Sequence, residues 1–277
     1  TPVVQQKQLG TGHAVLCAEE VCANAGTILI LCGDTPLIRS ETVDAMIEQH
    51  RQSGSKLTLM TTRVDNPFGY GRILCDATGK VTAIVEEKDA DDSQRQIKEI
   101  NAGIYLADRA FLFQALKQVG TDNSQGEVYL TDIVAIANRQ KYSVDKLCHD
   151  SAIDVLGINS RVELAEAHRE VQRRRNTELM LSGVTMYGPE TIYIDQGIPV
   201  GQDTVIHPGV NITGRTKIGV GCIIESGVFL HDCTISNNAI IGAWSTLHKW
   251  DVQPSEYIFP RTIRVEKEPV QQQSDCR

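Results

Sequence analysis

Two different periods divide the chain. Up to about residue 158, short runs of β-branched and aliphatic residues alternate with segments whose apolar positions recur at helical spacing, the pattern of a layered α/β domain. Residues 27–32 (Thr-Ile-Leu-Ile-Leu-Cys) form an unbroken apolar run closed by Gly33-Asp34. That predicts a central strand covered on both faces, with a functional loop at its carboxyl end. Further strands are predicted over 56–64, 71–75, 81–86, 101–107 and 152–158, and helices over 12–25, 41–52, 110–119 and 131–139. From Ser160 to about Leu181 the pattern is one long polar helix, and its Arg173-Arg174-Arg175 run reads as a solvated face rather than an anion site.

Beyond this helix apolar residues recur every six positions, at Ile194, Val200, Ile206, Ile212, Ile218, Ile224 and Leu230. The frame then slips by one and resumes at Ile235, Ile241 and Leu247. Small residues follow many of these positions, and Gly, Asn or Asp fill the turns. Such a repeat predicts a left-handed parallel β-helix of hexapeptide units, each giving one short strand with its apolar residue on the axis. About three coils are expected, closing over 241–260 and followed by a solvated, charged tail over 261–277. A solenoid this short hides its ends poorly, so oligomerisation, as a homotrimer, is expected. Trp244 and Trp250 read as capping or intersubunit packing residues, with an acyl or nucleotide site as the alternative.

Composition narrows the function classes. The 277 residues are 41% hydrophobic and 22% charged, which suits a globular chain of two domains, and no run reaches the ~18 uncharged apolar residues that a membrane span needs. Against 27 Lys+Arg stand 35 Asp+Glu, a formal charge of −8, so a nucleic-acid partner held by bulk positive charge is not expected. The cysteines are scattered, with no C-x-x-C pair, and read as thiols in a reducing compartment, by default the cytoplasm. The opening residues show no signal peptide, and Thr1 in place of an initiator Met reads as a start within a longer gene.

Several motifs carry candidate chemistry. Gln8-Leu-Gly-Thr-Gly-His13 places two glycines at a helix start, where backbone N–H groups can meet ligand oxygens, or where Thr11 simply caps a tight turn. Gly33-Asp34-Thr-Pro-Leu37 puts a carboxylate at a strand's carboxyl end, within reach of a divalent ion on phosphates; the alternative is a turn cap before Pro36. The segments Phe68-Gly-Tyr-Gly-Arg72, Ile84-Val-Glu-Glu-Lys-Asp-Ala90 and Glu99-Ile-Asn-Ala-Gly103 bring together glycine, carboxylate and carboxamide, groups suited to sugar hydroxyls and an N-acetyl amide.

Taken in order with Gly126-Glu-Val-Tyr-Leu-Thr-Asp132 and Gly157-Ile-Asn-Ser-Arg161, these motifs resemble the uridylyltransferase half of the bacterial bifunctional family that makes UDP-N-acetylglucosamine. The resemblance runs to about residue 247. It implies a Rossmann-like nucleotidyltransferase domain, incomplete at its N-terminus, over 1–159, a linking helix over 160–182 and a short left-handed β-helix over 183–260. By the same resemblance Gln5, Gln8, Gly10, Thr11 and Gly33 fall at nucleotide-binding positions. Gly71, Glu86, Asn101 and Thr131 fall around the amino sugar, and Asp34 and Asn159 match a Mg²⁺-coordinating pair. The implied reaction is attack of a sugar-1-phosphate oxygen on the α-phosphorus of UTP with release of pyrophosphate, so the implied partners are UTP, N-acetylglucosamine-1-phosphate and UDP-N-acetylglucosamine.

Two departures from the family follow. Its glycine-rich signature loop, which supplies an Arg and a Lys to the triphosphate, is expected before residue 1 together with the first strand of the sheet. The acetyltransferase motifs of the longer β-helix have no match here, so no acetyl transfer is expected, and His207, His231 and His248 read as turn or surface positions. A noncatalytic homologue that binds sugar nucleotide or serves as an assembly partner, and an acyltransferase working through the β-helix, are the rival readings. Glucose or another hexose phosphate is the rival substrate.

Overall fold

The computed structural model describes residues 1–265. The chain divides into two compact units, Thr1–Arg161 and Val162 onward.

In the first unit the strands are β1 (Thr27–Ile30), β2 (Leu57–Arg63), β3 (Arg72–Cys75), β4 (Val81–Val85), β5 (Glu99–Asp108) and β6 (Val144–His149). They form one mixed sheet in the order β4-β3-β5-β2-β6, with β1 paired antiparallel to β5. Helices α1 (Thr11–Leu16), α2 (Ser40–Ser53), α3 (Arg109–Leu116), α4 (Ile133–Arg139) and the short α5 (Ala152–Val155) accompany the sheet. The doubly covered central strand is β2, not the 27–32 run: Leu57, Leu59 and Met60 are fully buried, whereas β1 is half-buried, pairs among the described residues only with β5, and leaves Leu31 exposed. Threonines interrupt the apolar pattern of β2 without penalty because each buried hydroxyl has a partner. Thr58 meets His50 Nδ1 at 2.7 Å, and the Thr61 and Thr62 hydroxyls donate to Glu99 and to the His149 carbonyl, each at 2.8 Å.

Two further expectations are corrected. The strand predicted over 152–158 is the helical turn α5, and the neighbouring strand is β6. Asp145 and Lys146 disguise β6 as polar, but their partners come from afar: Gln49 donates to Asp145 at 2.9 Å and Lys146 to Glu99 at 2.8 Å. At 152–155 the Asp154 carboxylate, only 2% exposed, accepts from Ser151 at 2.9 Å and pairs with Arg39 at 3.0 Å, local bonding that turns the chain. The helix predicted over 12–25 ends at Leu16, after which tighter bonds such as Ala18 N–H to the Val15 carbonyl replace the α-helical ladder.

In the second unit α6 (Arg161–Leu181) precedes the solenoid. Its triple arginine is not a uniformly solvated face. Arg173 and Arg174 grip Glu170, holding that carboxyl down to about 2, while Arg175 is buried and donates to the Ile198 carbonyl and, at 2.9 Å, to Glu178. The six-residue positions form the axis as expected: Ile194, Ile206, Ile212, Ile224, Leu230, Ile241 and Leu247 are fully buried, and only Val200 is partly open. Each such residue contributes about 1.5–3 kcal/mol of apolar burial.

Parallel ladders stack the coils into a left-handed β-helix of about four turns rather than three. Ile212 pairs with Leu230, 18 positions on, and Leu230 with Leu247, 17 positions on, so the frame slip shortens a coil without breaking its stacking. Pairing continues past residue 260, where Ile263–Val265 joins Thr246–His248; the remainder of the expected tail lies outside the described residues. Trp244 is 66% exposed at a left-handed turn, and Trp250 lies beneath the Arg264 guanidinium at 5.7 Å.

Candidate nucleotide-sugar site

A series of hydrogen bonds joins segments of the first unit that lie far apart in sequence. It begins at the 8–13 loop. Gly12 N–H donates to the Val128 carbonyl and Val128 N–H to the Leu9 carbonyl, both at 2.8 Å, and the Thr11 hydroxyl accepts the Leu130 N–H at 3.1 Å. Gly10, at φ 107°, sits so close to this strip that a Cβ would stand 2.6 Å from the Val128 oxygen. Gln5 braces the loop from outside, donating to the Gly10 carbonyl at 3.2 Å and lying 2.8 Å from His13 Nδ1, while Gln8 is exposed.

Thr131, the neighbour of Leu130, donates its hydroxyl to Glu86 Oε1 at 3.1 Å. A Cβ on Gly71 would stand 2.9 Å from Ile84 Cγ2 and in ordinary contact, at 3.4 Å, with Glu86 Oε2, so the glycine lets the chain pass close to Ile84 with the Glu86 carboxylate alongside. Burial raises the Glu86 carboxyl, the Thr131 hydrogen bond opposes the rise, and Asp132 and Asp89 add to it. The Gly71 carbonyl accepts the Asn101 N–H at 2.9 Å. The Asn101 carboxamide is oriented at both ends, Nδ2 donating to the buried Tyr105 hydroxyl at 2.7 Å and Oδ1 accepting the Gly103 N–H at 3.2 Å.

From Gly103 the series returns to the end of β1. Cys32 Sγ donates to the Gly103 carbonyl at 3.3 Å, and Gly33 and Asp34 follow in sequence, both exposed. The Asp34 carbonyl accepts the Ile158 N–H at 2.9 Å, and its carboxylate lies over Gly157, where a Cβ would come within 2.9 Å of Oδ2. Asn159 is the next residue along and is exposed. A carboxylate and an amide oxygen, the donors that Asp34 and Asn159 offer, are of the kind that fits a hard cation such as Mg²⁺.

The geometry adds residues that the sequence motifs did not single out. Tyr105 and Cys32 fix the Asn101–Gly103 turn from below. Arg72, 1% exposed, donates to the Tyr70 carbonyl and to Glu87 at 2.6 Å, and Glu87 also accepts the Gly69 N–H at 3.1 Å, which pins the loop before Gly71. The arginine bond draws the Glu87 carboxyl below its ordinary range. Arg72 and Glu87 both stand within the quoted motifs, but their pairing depends on the β3–β4 hairpin register. Among the described residues no helix is long and apolar enough to cross a membrane.

Comparison with known proteins bears on most of the chain. Residues 1–170 match the Nucleotidyl transferase family. The bifunctional protein GlmU of Pelobacter propionicus is 45% identical over 267 residues, 94% of this chain and 58% of that protein. GlmU of Geobacter metallireducens is 51% identical over 84% of this chain and 49% of its own length. GlmU of Desulfotalea psychrophila is 46% identical over 93% of this chain and 76% of its own length. The chain thus spans about half the length of several of the curated relatives it matches. With more than half its length matched, the chain belongs to the nucleotidyl transferase family, among the GlmU proteins.

Proposed function

We propose that the chain carries the uridylyltransferase chemistry of such a bifunctional protein, joining UTP and N-acetylglucosamine-1-phosphate into UDP-N-acetylglucosamine and pyrophosphate. The observation that carries this reading is the set of hydrogen bonds that tie Thr11 to Leu130, Thr131 to Glu86, Asn101 to Gly71 and Gly103, Cys32 to Gly103 and Asp34 to Ile158. A uracil against the 8–13 loop, an amino sugar against Glu86 and Asn101, and phosphates near Asp34 would lie along one line.

Each group then has a role suited to its chemistry. The backbone around Gly10 and Thr11 reads the base edge, with Gln5 and Gln8 beside it. Gly71 leaves space for the sugar, Glu86 accepts from its hydroxyls, Thr131 orients Glu86, and Asn101 faces the N-acetyl group with its carboxamide already fixed by Tyr105. Gly33 lets the chain approach the phosphates closely. Asp34 and Asn159 would hold Mg²⁺, which supplies charge neutralisation and Lewis acidity to the phosphates when bound. The protein's own contribution is positioning, since phosphoryl-type transfer needs little covalent participation from side chains. A homotrimeric, cytoplasmic protein without acetyl transfer to glucosamine-1-phosphate completes the proposal.

A pyrophosphate-release assay with UTP and N-acetylglucosamine-1-phosphate, run beside calorimetric titration with UDP-N-acetylglucosamine, tests it. Release with Mg²⁺ supports the transferase. Binding without release favours a noncatalytic sugar-nucleotide binder, and neither binding nor release removes the site from consideration.

A further inference from the structure

In the solenoid, six positions separate Ile212 from Ile218, but only five separate Leu230 from Ile235 and Leu247 from Val252. The two short corners are turned by Asp232 and Lys249 in the left-handed region, at φ 53° and 50°. They stack one above the other: His231 and His248 are register partners, and their imidazoles lie 4.9 Å apart at 17°.

The groups at this corner are held in place by the coil above. Thr213 Oγ1 lies 2.8 Å from His231 Nδ1, which leaves Nε2 facing Asp232 Oδ2 at 3.4 Å. Asp232 Oδ1 accepts the Arg215 N–H at 2.7 Å. Gly214, at φ 70°, makes room for both: a Cβ there would stand 2.4 Å from Asp232 Oδ1 and 3.0 Å from His231 Cε1. The Arg215 guanidinium is a charged neighbour, 3.9 Å from Oδ1 and 91% exposed, and Lys249 turns the adjoining corner. One nitrogen from each imidazole and one Asp232 oxygen all fall within 4.8 Å of one another. The His231 and Asp232 side chains are 36% and 18% exposed, open enough for an ion to enter.

We propose that His231, Asp232 and His248 form a binding site for a divalent transition metal, Zn²⁺ before others, which clamps two successive coils of the β-helix. Two imidazoles and a carboxylate are the donors of a borderline ion, unlike the oxygen-only set at Asp34 and Asn159. Ligands of a tetrahedral ion with bonds of ~2.0–2.1 Å lie roughly 3.4 Å apart, so small rotations of the two imidazoles close the site around it. Three protein ligands leave a fourth position for water. The Thr213 and Arg215 contacts are the outer partners that orient such ligands.

The test is calorimetric titration of the purified chain with Zn²⁺ in excess Mg²⁺, which occupies oxygen-donor sites. Cys32, Cys75 and Cys148, the exposed cysteines among the described residues, and Cys276 are changed to serine so that these thiolates do not compete. Co²⁺ titration, followed by its visible spectrum, reports whether thiolate or imidazole is bound. The expected result is one ion per chain with a thiolate-free Co²⁺ spectrum. The variants His248→Ala and Asp232→Asn should each weaken binding about 100-fold or more. Asn tolerates the left-handed turn, so the second variant keeps the fold, and Zn²⁺ should raise the melting temperature of the parent but of neither variant. No saturable Zn²⁺ binding, a thiolate-type spectrum, or unchanged affinity in both variants would overturn the proposal.

Discussion

The main-chain carbonyl of Asp34 accepts the N–H of Ile158 at 2.9 Å, fastening the loop after β1 to the segment that ends in Asn159. This bond spans more than a hundred residues of sequence. It brings an exposed carboxylate beside a carboxamide-bearing segment, and Gly157 supplies the clearance between them.

Gly157→Ala therefore has a defined consequence. The new methyl would come within 2.9 Å of Asp34 Oδ2, and the carboxylate, being exposed, can swing away. Stability should change by no more than about 0.5 kcal/mol, as for most surface substitutions. The affinity for UDP-N-acetylglucosamine in Mg²⁺ should fall about tenfold, or about 1.4 kcal/mol. Thermal melting and calorimetry on the same samples separate the two effects.

Asn101 is tied to stability as well as to the site. Asn101→Ala removes the partner of the Tyr105 hydroxyl, which is 2% exposed, and should cost about 1–3 kcal/mol for the orphaned buried group. Tyr105→Phe leaves only the half-buried carboxamide without that bond and should cost less. The double variant should fall short of the sum, because the second change removes the orphan left by the first. Denaturant unfolding of the four proteins reads this cycle.

Burial raises the Glu86 carboxyl above its ordinary value of 4.5, so the folded protein keeps this proton at a pH where the unfolded chain has released it. Its contribution to stability is therefore full below about pH 4.5 and is lost as pH rises through the folded value. Glu86→Gln carries no such proton. The stability of the variant relative to the parent should thus grow as pH rises from acid toward neutrality, and melting temperatures across that range check the sign.

Leu230 is fully buried on the solenoid axis, whereas Val200 is only partly covered. Leu230→Ala should cost about 2–5 kcal/mol through lost burial and the cavity left behind. Val200→Ala should cost clearly less, and chemical denaturation of the two variants compares them.

The six-residue repeat was legible from sequence because one buried position per strand repeats in a uniform environment. The segments of Gly71, Glu86 and Asn101 stood out for a related reason, since glycine, carboxylate and carboxamide stand beside each other locally. What sequence did not show depends on distant partners. β6 looked polar because Asp145 and Lys146 find Gln49 and Glu99 across the sheet. The 27–32 run looked central because hydrophobicity reports tolerance of burial, not which edges find partners. The pairing of Arg72 with Glu87 and the stacking of His231 on His248 each needed a strand register that no local pattern specifies.

The most direct measurement is calorimetric titration of UDP-N-acetylglucosamine into the parent chain and Asp34→Asn, each with and without Mg²⁺. The expected result is binding that Mg²⁺ strengthens in the parent and leaves unchanged in the variant, with the metal-free affinities alike. Equal strengthening by Mg²⁺ in both proteins, or no binding to the parent under either condition, would contradict a metal-assisted nucleotide-sugar site at Asp34.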